Sequence, residues 1–320
     1  MKKNVRISVL FAVLLGMSAS LSAQVSHFLG AWAQGGEYTY RAILDRTAFD
    51  MKSSLGGGGG LGFVYELRAG DHFLLDAGVG ANSAWTRFKV PDQQYVLHNM
   101  VDKNGEVFDY IYAVNHRRDA YWVTSVQVPL LVGGQWGRFY FLAGAKFDMA
   151  LLTDVTMKAD ISTMGDYKQG KPLVHNIPAQ GFKDDMPWEQ KERLALKPNV
   201  TASLELGCRL GEIYKEKGFD VPSQKVQYRI AVFADYGLLD PHVATDKPLM
   251  HVPATYNTKA PLSGLEATDV MSSKEMTDMH AFFNTVMVGV KFTVLFQLPK
   301  SKSCVMCREQ PFRSSHGILE

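Results

Sequence analysis

The chain has 320 residues, a formal net charge of +2 and a mean hydropathy of -0.09. A balance this close to neutral supplies no basic face for nucleic acid, and three cysteines in such a length make no disulfide framework. The length allows one or two domains, and 28 glycines with 11% aromatic residues suit a β-rich chain.

Residues 1–23 read as a secretory signal. Lys2, Lys3 and Arg6 precede an apolar core over residues 7–15 that is too short to span a bilayer. Small residues follow, and cleavage is expected after Ala23, although Leu21 is not ideal three positions before the cut. The alternative, an uncleaved anchor, fits the length and flanks less well. No later apolar run is long enough for a membrane helix, which leaves strand-crossing proteins open.

Beyond residue 24 the recurring pattern is period-two alternation, the mark of strands with unlike faces. Residues 27–40 alternate imperfectly, and Gly35-Gly36 is expected to form a bulge that changes the phase. The run from Gly56 to Gly62 matches G-x-G-x-x-G at Gly57, Gly59 and Gly62, but a nucleotide cradle needs a helix directly after it. A strand follows instead, with Leu61, Phe63, Tyr65 and Leu67 against Glu66 and Arg68. After a tight turn at residues 69–72, residues 73–87 set Phe73, Leu75, Val79 and Trp85 against Asp76, Asn82 and Thr86. Residues 122–132 set Trp122, Val126, Val128, Leu130 and Val132 against Ser125, Gln127 and Pro129. Proline removes one ladder donor, so a bulge or local widening is expected there.

A second tight turn at residues 133–137 leads into residues 138–151, where Phe139, Phe141 and Phe147 alternate with Tyr140, Lys146 and Asp148. Residues 199–210 place Leu204, Leu206 and Cys208 opposite Ser203, Glu205 and Arg209. Residues 225–238 place Tyr228, Ile230, Val232 and Tyr236 opposite Gln227, Arg229 and Asp235. The last segment, residues 280–298, carries Phe282, Val286, Val288, Val290, Phe292 and Phe296 against Thr285, Lys291 and Gln297. Connections alternate between short turns and long loops over residues 43–55, 89–119, 153–196 and 240–279. A compact soluble domain rarely keeps such loops, whereas outer-membrane barrels do.

The expected fold is therefore all-β: an eight-stranded antiparallel transmembrane β-barrel over residues 24–298, with long external loops and short periplasmic turns. Residues 299–320 would form a periplasmic tail. Alternation alone does not say which face is inside, since a water-soluble lipocalin-type barrel shows the same pattern. Charges of both signs deep in the strands favour an enclosed polar face: Glu66, Asp76, Lys146, Asp148, Glu205, Arg209, Arg229, Asp235 and Lys291 would line the lumen. Aromatics near both strand ends would form two interfacial girdles. Phe73, Phe139, Tyr228 and Phe296 lie at the turn side, and Trp85, Trp122, Tyr236 and Phe282 at the long-loop side.

These features resemble the outer-membrane β-barrel family common in Bacteroidetes, which includes OmpA/OmpX-like and PorT-like barrels. The resemblance is carried by Leu21-Ser22-Ala23-Gln24, Val126-Gln127-Val128-Pro129-Leu130-Leu131, residues 138–148 and Val288-Gly289-Val290-Lys291-Phe292. It covers the whole expected mature chain and implies an outer-membrane barrel without implying one activity.

Chemistry is sparse. Nine histidines show no metal-ligand spacing, and no cofactor motif emerges. Asp240, His242 and His280, at the ends of the last long loop, are candidates for a rim hydrolase, but no nucleophile is identifiable beside them. Cys304 and Cys307 form a C-x-x-C in the tail that could close as a local disulfide in an oxidising space. The leading expectation is a non-enzymatic outer-membrane module with a side-chain-filled lumen. Its partners would be membrane lipid and, through the long loops, other envelope proteins or extracellular ligands. The alternative is a narrow channel or a component of an export machine.

Overall fold

The computed structural model describes residues 25–43, 51–70, 72–167, 173–214 and 225–299. The signal reading of residues 1–23 and the Cys304/Cys307 pair lie outside these residues.

Among the described residues, alternating β-branched, aromatic and glycine-rich segments form twelve strands: β1 (Val25–Ile43), β2 (Lys52–Ala69), β3 (Phe73–Lys89), β4 (Gln93–Val101), β5 (Val107–Trp136), β6 (Phe139–Asp166), β7 (Met186–Arg193), β8 (Asn199–Tyr214), β9 (Lys225–Gly237), β10 (Met250–His251), β11 (Glu266–Ala267) and β12 (Phe282–Gln297). Eight of them close a ring. Neighbours run β1, β2, β3, β5, β6, β8, β9 and β12, and β12 pairs back with β1. Every pairing is antiparallel. Closure gives each of these strands a partner on both sides, so the ring leaves no open edge. Phe28 stands opposite Gln297, so β1 begins and β12 finishes at the same end of the barrel, as an even strand number requires.

The tight turns sit at that end. Gly70 and Gly137 adopt positive φ (63° and 60°), the left-handed conformation that reverses the chain with least cost when no Cβ is present. Of two expected irregularities, the bulge at Gly35-Gly36 is absent and the one at Pro129 takes the form of a local widening. The β1 register continues unbroken through Gly35 and Gly36 against both β2 and β12, so no bulge changes its phase. Its alternation looked imperfect because the inward face carries large aromatics: Phe28, Trp32, Tyr38 and Tyr40 are all buried. Pro129 does not force a bulge either. The β3–β5 ladder lapses between Ala77↔Leu130 and Gly80↔Gln127, then resumes in the same register. The missing donor is absorbed by a local gap. The glycine run of β2 is strand throughout, and Gly62 lies beneath the Trp32 indole, where an added Cβ would stand 2.6 Å from the ring.

The largest difference from the sequence expectation lies at the opposite end. Residues 89–119 and 153–196 are not simple loops. β5 and β6 run for 30 and 28 residues, far beyond a bilayer crossing, and β4 and β7 pair along their upper edges. A short helix, α1 (Lys274–Asp278), and the β10–β11 pair structure the last connection. Together these segments form a cap with its own core. Phe108, Tyr110, Tyr112, Val155, Met157, Ile161, Phe182, Leu249 and Met271 are among its buried residues. Apolar side chains here point inward, the reverse of their arrangement lower on the same strands.

A buried ionic knot ties the last connection to β5. The Arg117 guanidinium donates two bonds to the Asp119 carboxylate, each 3.0 Å. It also donates to the carbonyls of Leu249 (2.7 Å) and Thr268 (2.6 Å), while the Val270 amide donates to Asp119 (2.8 Å). Burial is the largest influence and would lower the Arg117 pKa, but the Asp119 charge and hydrogen bonds, with Tyr121 and Tyr95, together outweigh it and raise the value above the ordinary one. Nearby, burial pushes the Asp269 carboxyl up, with the Tyr121 hydrogen bond acting against that shift. Arg117→Ala would leave Asp119 buried without its cation, a change that typically costs about 3–5 kcal/mol. The cap should then become protease-sensitive between residues 240 and 281, while the eight-strand ring survives digestion. A fragment map from limited proteolysis checks this.

Candidate functional site: the enclosed charge network

Inside the ring, the strands turn charged, polar and small residues toward the axis together with a few large side chains, the aromatics of β1 among them. Glu66, on β2, is 0% exposed and Arg229, on β9, is 1% exposed, whereas Leu61 (67%), Phe63 (64%) and Phe139 (71%) stand open on the outer surface. This is the inverse of a water-soluble protein, in which buried charge is rare and large apolar side chains are withdrawn from solvent. Such charges are tolerable in a dry interior only when paired and hydrogen-bonded.

The pairing is extensive. Glu66 accepts from Arg68 on its own strand and forms an ion pair with Arg229 on β9. Arg68 also donates to the Gln227 side-chain carbonyl. Glu205 accepts from Lys291 Nζ (2.7 Å) and from the Tyr140 hydroxyl (2.7 Å). Lys146 Nζ donates to Asp235 (2.7 Å), which also accepts from Ser203 (2.6 Å). Thr201 donates to Asp148 (2.7 Å). Asp76 lies buried directly opposite Glu66 in the β2–β3 register. Arg209 shares the parity of Glu205 and Gly207 and is half-buried. Among the described residues, and counting Arg68, the interior holds five carboxylates (Glu66, Asp76, Asp148, Glu205, Asp235) and five cations (Arg68, Lys146, Arg209, Arg229, Lys291), so the two signs balance.

Aromatic faces fill the space between the pairs. Arg68 lies over Phe28 (3.9 Å), Arg229 over Tyr140 (4.7 Å), Lys146 over Phe233 (5.1 Å) and Lys291 over Trp32 (5.6 Å). A cation over a ring face is attracted by the quadrupole, more so when desolvated. Two small apolar clusters complete the filling: Leu74, Leu131, Leu142 and Ala231 with Tyr140, and Val64 and Leu295 with Phe28 and Trp32. An eight-stranded barrel has room for about this much. Above the charges, a cavity of about 70 Å³ remains, lined by Tyr38, Asn82, Gln127, Asp148, Asn199 and Thr285 among others.

All nine sequence-nominated charges point into the ring. The nomination missed Arg68, although it shares a face with Glu66 two residues away. It also missed the neutral partners Gln227, Tyr140, Ser203 and Thr201, which carry no sequence signal apart from their parity. The eight nominated aromatics point outward. Trp85 and Trp122 stand directly opposite each other in register, and the Tyr228 and Phe292 rings stack at 6.2 Å. Trp122 (54%), Tyr236 (38%), Phe282 (36%) and Phe296 (47%) are exposed, and Phe73 and Tyr228 are half-buried. Of the three rim candidates, His242 Nδ1 is hydrogen-bonded to Asp240, and its ring meets Phe283 edge-on at 5.4 Å. No side-chain hydrogen bond brings His280 to that pair among the described residues.

Searches with the sequence found no matching family model and no matching curated protein. Among solved structures, the chain is similar to Ail, the attachment invasion locus protein of Yersinia pestis, solved in complex with the heparin analogue sucrose octasulfate. That match has 11% identity, covers 83% of this chain and 98% of Ail, and has a TM-score of 0.24. The fold described above rests on the closed ring of hydrogen-bonded strands rather than on this likeness.

Glu66→Ala would strand Arg68 and Arg229 in the closed interior. We expect a loss of about 3–5 kcal/mol, read as a lower urea midpoint for unfolding. Glu66→Gln should lose less, because it keeps an acceptor.

Proposed function

We propose that this chain is an integral outer-membrane protein that crosses the bilayer as an eight-stranded barrel and holds its folded cap outside the cell as an interaction module. The observation that carries the reading is the inversion between the two faces of the ring: a continuous outer belt of large apolar side chains around a balanced, enclosed charge network. Water would leave that belt exposed at great cost, whereas acyl chains match it. The height agrees. Twelve residues separate Phe73 from Trp85 on β3, about 40 Å along the strand and about 28 Å along the barrel axis at a tilt near 45°. On this reading, Phe73, Phe139, Tyr228 and Phe296 mark one interface, and Trp85, Trp122, Tyr236 and Phe282 the other.

Within this reading the lumen does not conduct. Its charges neutralise one another, and Trp32, Tyr140 and Phe233 occupy the space between them. The module is non-enzymatic, takes no cofactor, and works through the surface of the cap with lipid, other envelope proteins or extracellular ligands. A place as one component of an export machine, as the PorT-like resemblance implies, fits the same cap without asking the barrel to be a pore.

Two outcomes test the reading. Purified protein in a planar lipid bilayer should give no steady openings, and large sustained conductance would contradict a filled lumen. Val79 lies midway between Phe73 and Trp85 and is 49% exposed on the outer face. Val79→Arg should therefore destabilise the bilayer-inserted barrel by about 2–4 kcal/mol. The same substitution on a surface bathed in water would cost almost nothing.

A further inference from the structure

The outer face of β2, β3, β5, β6 and β7 changes character just past the Trp85/Trp122 pair. Two residues beyond Trp85, Arg87 points outward, and four residues beyond, Lys89 does so. Lys89 stands opposite Lys52 on one side and Arg118 on the other, and Arg118 stands opposite Lys158. Four cations therefore occupy one register row across four adjacent strands, and like charges directly opposite each other destabilise a sheet. At the end of the row, Glu189 on β7 accepts from Lys158 (3.0 Å) and Lys191 (3.2 Å). Among the described residues, no carboxylate forms an ion pair with Arg87, Lys89 or Arg118. Arg87 lies over the Trp85 ring instead, at 5.3 Å. Arg87, Arg118 and Lys158 line a groove of about 760 Å³ together with Trp188, Glu189 and Asp160, the last ion-paired with His116.

We infer that this strip binds the phosphate-bearing headgroup of a lipid in the leaflet around the barrel. The inference rests on the membrane reading above, and position chooses the occupant. Arg87 and Lys89 follow Trp85 by one and two outward steps, about 7 and 13 Å along the strand. They lie on the same face as the lipid-facing residues, at the level where headgroup phosphates begin. A guanidinium presents a planar fork that matches phosphate oxygens in two bonds, and a lysine beside it adds a compact charge. A phosphate between Lys89 and Arg118 would relieve the repulsion along the row. A soluble polyanion could satisfy the same charges, but it would have no reason to require their alignment directly over the apolar belt.

The test uses the full chain in an uncharged detergent, with bound lipid counted by native mass spectrometry. The probe is a diphosphorylated acyl-disaccharide glycolipid, compared with the same lipid after removal of its phosphates. The combined variant Arg87→Gln/Lys89→Gln/Arg118→Gln should bind the phosphorylated lipid at least tenfold more weakly than the parent chain. Lys103→Gln/Lys259→Gln, which removes two exposed cations of the distal cap, should bind like the parent. The slower migration of heated than unheated protein in a denaturing gel verifies that each variant is folded. Equal binding by the triple variant, or equal binding of the dephosphorylated lipid, would overturn the inference. So would displacement of the lipid by an equimolar concentration of inorganic phosphate, which would mark the strip as a site for free anions. A chain that remained monomeric and folded in buffer without detergent would instead overturn the membrane reading on which the strip depends.

Discussion

Backbone hydrogen-bond closure is the constraint from which the rest of the structure follows. A strand exposes an N–H and a C=O on each side, and in hydrocarbon these groups must be satisfied internally. Pairing β12 back onto β1 over sixteen register positions meets that need without an edge strand. Once the ring is closed, alternation divides every strand into one outward and one inward face. The outward face can then be uniformly apolar, and the inward face must be filled. Eight strands make the filling small enough for side chains alone.

The filling is chemically unusual because it is ionic. Bringing a carboxylate and a guanidinium out of water costs more than a simple pair returns, unless further hydrogen bonds complete both groups. Glu205 meets this condition by holding Lys291 and Tyr140, while Glu66 holds two arginine charges. The pairs link β2 to β9, β8 to β12 and β6 to β9, so each one skips at least one intervening strand rather than reinforcing a single hairpin. Such cross-links act against alternative registers, since a slip of one residue would carry every charge to the outer belt. The cap uses the same chemistry once more, in Arg117 and Asp119, to join the last connection to β5.

Much of the barrel was legible in the sequence because its signal is local. Period-two alternation with charges on one face nominated Glu66, Lys146, Glu205, Arg229, Asp235 and Lys291 for the inward side, and these side chains are buried. Two features worked against the reading. On β1 the inward positions are Phe28, Trp32 and Tyr38, so hydrophobicity did not distinguish the faces, although the geometry there is regular. In the cap the rule inverts: Phe108, Tyr110 and Tyr112 alternate as clearly as any barrel strand, but with apolar side chains inward. On β5 the change of face falls at the register shift between Asn115 and Arg118, where His116 adopts a φ of 52°, and on β6 at the shift opposite Thr124 and Ser125. A single rule for the whole chain therefore left residues 107–118 and 153–166 as loops. The pairings that make the cap a unit, such as Arg117 with the Leu249 and Thr268 carbonyls, join residues more than 130 positions apart and have no local sequence mark.

The most direct measurement is a scan of nitroxide spin labels along residues 77–85 of β3, in a background lacking Cys208, Cys304 and Cys307, after reconstitution in lipid vesicles. Collision with apolar oxygen should rise and fall with a period of two, with maxima at the odd-numbered outward positions and the highest values near residue 79. Collision with a water-soluble nickel reagent at the odd positions should increase only toward residue 85. High exposure to the nickel reagent at residue 79, or oxygen access without the two-residue period, would show that the apolar belt does not face acyl chains and would contradict the account.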